Sequence, residues 1–522
     1  MPTTRLALLA LLCLPAVSRA EPLHQEIDRL IAAKAAGKPA AALSSDAEFL
    51  RRIYLDLAGR IPTTAEARTF LGDTAPDKRS QLIDHLLGGP EYARRMQDLF
   101  HVMFMERLGD HPEWLKYLRE SFVANKPWDQ MAKEILSGNP EDPQARGAAF
   151  FYVKRLENYG QNPVDYPALT RDVGRLFLGM DLQCAQCHNH IFIKGYKQAD
   201  FQGLHAFFQN TFLPMQNALV VGEKPTTQKL GFQSVFNKEP KQTAPRVPGL
   251  NELEIPAIEK GKEFTKAPDP KTKTPGVLAF SPLAKLSEQL PTTDNPAFAK
   301  NMANRLWWAM LGRGLVHPLD LHHDANPPSH PELLDLLARE FAAQKYDIKF
   351  LLRELALSQT YQRSSVLPAE KPAPELFLAV QEKRLSADQL MHAMLEATGE
   401  RATAKEDMVR TKFVRAFANP RREPETEFSP SLKAALFVLN DDLVLSWLTP
   451  KDGNLVGRLA KLDDAGQIAD EAYLATLTRL PTAEEKADVA AYLAKHAGEG
   501  RPKALGHLCW ALLASTEFGV NH

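Results

Sequence analysis

The sequence predicts a mainly α fold with two helical domains, separated by a Pro/Lys-rich insert that is partly β or extended. Apolar residues recur at helical spacing through most of the chain. Helix-start signatures punctuate it, such as Thr63 with Glu66 and Ser329 with Glu332. Between 214 and 291 the period is lost in favour of dense proline and lysine. A length of 522 residues exceeds what one core holds, and 44% apolar with 24% charged residues is the composition of a globular protein.

Residues 1–20 stand apart. A short basic start (Met1 to Arg5), an apolar run over 6–17 and the small-x-small triplet Ser18-Arg19-Ala20 form a secretory signal peptide. The apolar run has twelve residues, too few to cross a bilayer, and no later stretch approaches that length. A periplasmic or secreted protein without a transmembrane segment is expected, cleaved near Ala20. Cys13 follows Leu12, not a small residue, so lipoprotein processing is not expected. Losing Arg5 and Arg19 leaves 61 basic against 64 acidic residues, a net charge of −3 that offers nucleic acid no electrostatic footprint.

In chain order, helices are expected at 23–36, 46–58, 78–87, 91–107, 112–124 and 128–136, with a capping box at Thr63 and Glu66 restarting the chain after Gly59. A helix over 170–183 then leads into Cys184. In the insert, strand-like pieces lie at 218–221 and 232–236, and the Lys-rich 260–273 reads as solvated surface. Helices return at 296–311, 331–344, 348–359, 387–399, 432–449, 468–478, 483–496 and 504–514, the second opened by a capping box from Ser329 to Glu332.

Two internal echoes run through this pattern. Tyr54-Leu-Asp-Leu-Ala-Gly-Arg-Ile-Pro-Thr63 returns as Tyr473-Leu-Ala-Thr-Leu-Thr-Arg-Leu-Pro-Thr482. Leu86 to Tyr92 returns as Leu512 to Phe518 and, more loosely, as Leu355 to Tyr361. A duplicated unit and a stock way of joining two helices explain them equally well.

The chemistry concentrates in Cys184-Ala-Gln-Cys-His-Asn-His190. Two cysteines two residues apart, followed at once by histidine, form the attachment signature of a c-type haem, with thioether bonds at Cys184 and Cys187 and His188 as the proximal iron ligand. His190, His205 and Met215 are candidates for a further ligand. Cys184 and Cys187 can instead be thiolates of a zinc or iron site completed by His188, His190 or His205, or they can form a redox dithiol or a plain disulfide. Cys509, within the apolar run 508–513, reads as a core thiol. His317, His322, His323 and His330, with Asp320 and Asp324, can be drawn as a second metal site, but a polar loop with solvated histidines is the simpler reading. Arg305, Trp307 and Trp308 suggest an aromatic surface for a sugar or partner, against the plainer role of a buried helix face. There is no nucleophile elbow, Walker loop, dinucleotide fingerprint or zinc-protease helix, hence no hydrolase motif.

On Phe49-Leu-Arg-Arg-Ile-Tyr-Leu-Asp-Leu-Ala-Gly-Arg-Ile-Pro-Thr63, Leu82-Ile-Asp-His-Leu-Leu87 and Gln183 to His190, the chain resembles the planctomycete-type cytochrome-c-like (PSCyt) domain of secreted bacterial proteins. Asn295 to Trp307, Gly312-Arg-Gly-Leu-Val316, Asn326 to Leu334 and Ala435 to Asn440 resemble its companion PSD domain of unknown function. The resemblance implies a cytochrome-c-like domain over 21–213, the insert over 214–291 and the companion domain over 292–522. It also implies haem c, electron transfer with a redox partner protein, and a place in a carbohydrate-degradation system as a possible accessory oxidoreductase. Where the family continues His-Pro-Phe-Asp with a tryptophan soon after, this chain has His190-Ile-Phe-Ile-Lys-Gly-Tyr196.

Overall fold

Helix follows helix along almost the whole chain in the computed structural model, which describes residues 21–139, 142–158, 162–215, 218–401, 406–425, 432–496 and 498–522. The signal peptide expected over 1–20 lies outside the described residues. Twenty-three α-helices and four two-stranded antiparallel sheets make up the described part, a mainly α fold as the periodicity indicates. No described helix is long and apolar enough to cross a membrane.

Most helices begin and end where the local chemistry places them. Ser45 caps Asp46–Leu57 through the Glu48 amide, and Thr63 and Glu66 close the expected capping box on Thr64–Gly72. The helix before Cys184 runs over Tyr166–Leu178 and not to 183, because Gly179 takes φ 69° and turns the chain out of the helix. The expected box at Ser329 does not form: Pro331 occupies the first helical position, which makes His330 the cap residue, and the Ser329 hydroxyl pairs with His330 Nδ1 instead. The stretch 432–449 divides into Leu432–Asn440 and Asp442–Trp447, since the Asp441 carboxylate accepts from the Leu443 amide and starts a new helix.

At the start of the insert Thr211–Phe212, just before it, pairs with Gly222–Glu223, and within it Leu230–Phe232 pairs with Lys241–Thr243 and Phe264–Lys266 with Val277–Leu278. The strands are shorter than expected and offset from 218–221 and 232–236. The helix Pro282–Gln289, too short to declare itself by periodicity, packs on Trp128–Ser137. Phe150–Leu156, Gln198–His205 and Glu406–Phe417 are further helices that periodicity missed.

Two buried apolar clusters organise the molecule. One draws its residues from Leu23 to Leu378, the other from Leu385 to Phe518. The exceptions are instructive: Leu55 and Ile61 pack in the second cluster, and Leu474 packs in the first. Leu55 and Leu474 are equivalent positions of the sequence echo, so the two copies cross and each delivers its leucine to the other's side. Each copy also builds the same clamp. Arg60 stacks over Tyr54 and grips Glu66 and Glu91, while Arg479 stacks over Tyr473 and grips Glu485 and Glu517. Thr482 repeats the capping box of Thr63. The echo is therefore a repeated helix-turn-helix unit with its own ionic lock.

Arg51 and Arg52, both fully buried, fasten the first copy to the end of the chain and to its third, looser echo. Arg51 donates to the Thr476 and Phe518 carbonyls, and Arg52 to those of Tyr361 and Arg363. The clamps differ in depth, with the Arg60 side chain 10% exposed and Arg479 28%. Arg60→Ala is expected to cost about 2–3 kcal/mol in urea denaturation, because it leaves two partly buried glutamates facing each other. The more solvated Arg479→Ala should cost about 1 kcal/mol. Equal losses, or the reverse order, would contradict this ranking.

Candidate functional site

Gly179 makes the site possible by letting its lead-in chain run against the second half of the molecule. A Cβ there would lie 2.6 Å from the His322 ring, closer than any side chain allows. With that room, Met180 bridges Leu321, His322 donates its amide to the Gly179 carbonyl, and Asp181 donates to that of Asp320. Asp320 is itself fixed by Arg175 and Arg305. The lead-in is thus held to the loop that carries the second histidine group.

From this anchored lead-in the chain turns through one 3₁₀ turn, Cys184–Gln186. Ala185 is buried and pins the turn, while the Cys184 and Cys187 thiols are both free and exposed. Three side chains fix the turn's backbone and amide: Gln198 and Gln202 donate to the Gln186 carbonyl, and Arg171 donates to the Gln186 amide oxygen. The insert returns here as well, with the Val235 amide donating to the Cys187 carbonyl at 3.1 Å and the Phe236 ring 4.7 Å from the His188 ring.

The hydrogen bonds assign the histidine tautomers. His188 Nδ1 lies 2.6 Å from the Asn189 carbonyl, which can only accept, so Nδ1 carries the proton and Nε2 presents a lone pair. His190 is the opposite case. Its Nδ1 accepts from the Phe192 and Ile193 amides at 3.2 and 3.0 Å, so in the neutral ring Nε2 holds the proton and is no metal ligand. His205 donates from Nδ1 to Thr170 Oγ1 at 3.0 Å, stacks on Phe201, and is kept neutral by burial, which lowers its pKa. Met215 stands 46% exposed in the loop after Thr211–Phe212.

Around the thiols the surface is unusually apolar. Ile191, Phe192, Val235 and Phe236 are 66, 83, 60 and 70% exposed. The departure from the family's usual continuation supplies Ile191, whereas Phe192 stands where that continuation also has phenylalanine. Tyr196, at the end of the same loop, is buried and donates its hydroxyl to the His322 carbonyl. Among the described residues, no three His, Cys, Asp or Glu side chains gather closely enough to hold a metal ion. Cys184, Cys187 and His188 are accordingly not joined by His190 or His205 in a tetrahedral set.

The second histidine group disperses into packing. Burial, followed by the Arg305 charge, lowers His322 to about 4. His330 is likewise lowered to about 4 by burial and packs on Phe377, and His323 packs on Tyr196. Trp307 is fully buried against Phe377, whereas Trp308 reaches a cavity on the other face of its helix. Cys509 is a core thiol whose pKa burial pushes up to about 12. Sequence reasoning missed the part of Val235 and Phe236 in the site. Their signal was an apolar pair standing alone in a Lys/Pro-rich stretch.

Fold and site together define a mainly helical protein in which an exposed CxxCH turn is braced from behind by a companion helical half. Residues 26–212 match PSCyt2, described as a protein of unknown function (DUF1549), and residues 284–412 match PSD1, also a protein of unknown function (DUF1553). The two matches take in more than half of the chain in that order, and the chain belongs to this PSCyt2–PSD1 two-domain type. No curated protein and no solved structure matches it.

Proposed function

We propose that this chain is an exported, c-type cytochrome-like electron-transfer protein carrying one haem on Cys184, Cys187 and His188. The observation that carries the reading is the geometry of the turn: two free, exposed thiols and an imidazole whose Nδ1 is tied down so that Nε2 is available. The bare apolar rim of Phe192, Phe236, Ile191 and Val235 fits the same group, because a large apolar ring lying on it removes that surface from water. Zinc or iron held by the same cysteines has less support, since a tetrahedral set needs four ligands and among the described residues no three such side chains gather.

Bound haem supplies one-electron exchange. The chain's part would be to hold it through Cys184, Cys187 and His188 on the turn that Gln198, Gln202 and Arg171 brace, with Phe192 and Phe236 offering apolar surface. An exposed turn of this kind would suit outer-sphere exchange with a redox partner protein. His205 or Met215 as an additional ligand belongs to the same proposal, whereas the tautomer of His190 argues against it.

The test is haem staining of the denatured full-length protein after export in a host that has cytochrome c maturation. Colour should survive denaturation and disappear in a Cys184→Ala, Cys187→Ala double variant. A colourless protein with stoichiometric zinc, or a visible spectrum unchanged by the double variant, overturns the proposal.

A further inference from the structure

Away from the CxxCH turn, a cavity of about 340 Å³ opens where the two matched domains meet. One wall is the helix Pro90–Met105 of the PSCyt2 region, and the other is Pro296–Leu311 with the segment 382–389 of the PSD1 region. Its size lies in the range of small-molecule sites. Six carboxylates and five cationic side chains line it, so it carries almost no net charge.

Most of these charges are already committed to one another. Lys383 donates to Asp56 and to the Ala309 and Met310 carbonyls, and Arg175 pairs with Glu106 and Asp320. Asp388 is held by Arg107 and Arg410. Three groups are not so committed. Arg95 is 7% exposed, yet its only hydrogen bond among the described residues runs from Nε to the Asp56 carbonyl at 3.3 Å, leaving both terminal nitrogens free. Asp98 is 8% exposed and has only long contacts, 3.4 Å to Gln97 Nε2 and 3.8 Å to His392 Nε2. Trp308 makes no hydrogen bond through its indole N–H and stacks on no other ring among the described residues, while Trp307 beside it is consumed by the core.

These polar groups line the cavity without strong partners among the described residues, so a ligand that pairs with them gains without displacing a protein contact. Arg95 needs acceptors, Asp98 needs donors, and the indole offers an apolar face with a donor at its edge. A ring with hydroxyls around its rim and C–H bonds on its face meets all three demands. A strongly anionic or cationic ligand finds no excess of opposite charge here. We propose that the cavity between the two domains binds a neutral sugar, stacked on Trp308 with its hydroxyls bridging Asp98 and Arg95. The proposal does not depend on haem.

The test uses full-length protein and saturation-transfer NMR with calorimetry. D-glucose, D-galactose, D-mannose and D-xylose serve as neutral probes, with D-glucuronate and D-glucosamine as charged counterparts. At least one neutral sugar should bind saturably, with saturation transferred to its ring C–H protons. Affinity should fall about tenfold or more in Trp308→Ala and in Asp98→Leu, and stay within about threefold in Trp308→Phe, which keeps the stacking face. Should Trp308→Ala fail to fold, Trp308→Phe and Asp98→Leu carry the comparison. No saturable binding by any neutral probe, tighter binding of either charged sugar, or affinity indifferent to Asp98→Leu overturns the assignment.

Discussion

Arg107→Ala is expected to lower stability by about 3–5 kcal/mol in urea denaturation at neutral pH. Arg107 donates to Asp388 at 3.0 Å and to Glu425 at 2.7 and 3.3 Å, and the three side chains are only 8, 3 and 3% exposed. Removing the guanidinium leaves two buried carboxylates, with Arg410 alone against Asp388. Arg107→Lys keeps the charge but not the fork that reaches both acids, and should cost about 1–2 kcal/mol. Arg107 lies 281 residues before Asp388 and 318 before Glu425 in the sequence, so the loss should be cooperative across the molecule. An Arg107→Ala loss below 1 kcal/mol would mean that solvent reaches this cluster far more freely than its burial indicates.

The second large effect depends on pH. Burial, reinforced by the nearby Asp388 carboxylate, raises Asp98 to about 7, against the pull of Arg410, Arg94 and Arg95. His392, the other titratable neighbour, is lowered to about 3, chiefly by burial, so it stays neutral through the relevant range. The folded state therefore holds a proton on Asp98 that the unfolded chain releases near pH 4. Stability from that proton is fully present below about pH 4 and is lost as pH rises through about 7. Asparagine resembles the protonated acid and does not ionise. The stability of Asp98→Asn minus wild type should be near zero at pH 4 and grow to about 2–4 kcal/mol in favour of the variant by pH 8. Asp388 titrates in the opposite sense, its carboxylate held low by Arg107 and Arg410 against burial, but it contributes to both proteins and largely cancels in the difference. A difference that is flat with pH would show that Asp98 ionises normally. A variant that becomes more stable while Asp98→Leu loses sugar binding would mark Asp98 as a residue kept for a ligand at the expense of the fold.

Much of the fold was legible in the sequence. The helices over 46–57 and 296–311 declared themselves because spacing, cap residue and terminator agree within one local stretch, which is all that helix initiation requires. The same locality made the CxxCH turn readable, and the echo of Tyr54 to Thr63 pointed to a repeat. Where two local signals competed, sequence reasoning failed. Pro331 displaced the cap from Ser329, Gly179 stopped a helix that the apolar pattern would have continued, and Asp441 split one helix into two.

By itself the amino-acid sequence determined a mainly helical chain, the placement of two thiols and an imidazole on one turn, and an echo of one helix-joining stretch in another. These are properties of residues a few positions apart, set by backbone geometry and side-chain spacing. Only the tertiary structure decided that the copies cross and lock to each other through Arg51 and Thr476, that Phe236 from the insert comes to lie on His188, and that Asp98 and Trp308 face one cavity. Each of those depends on which distant surfaces exclude water together, and burial of that kind leaves no mark at a fixed spacing in the sequence.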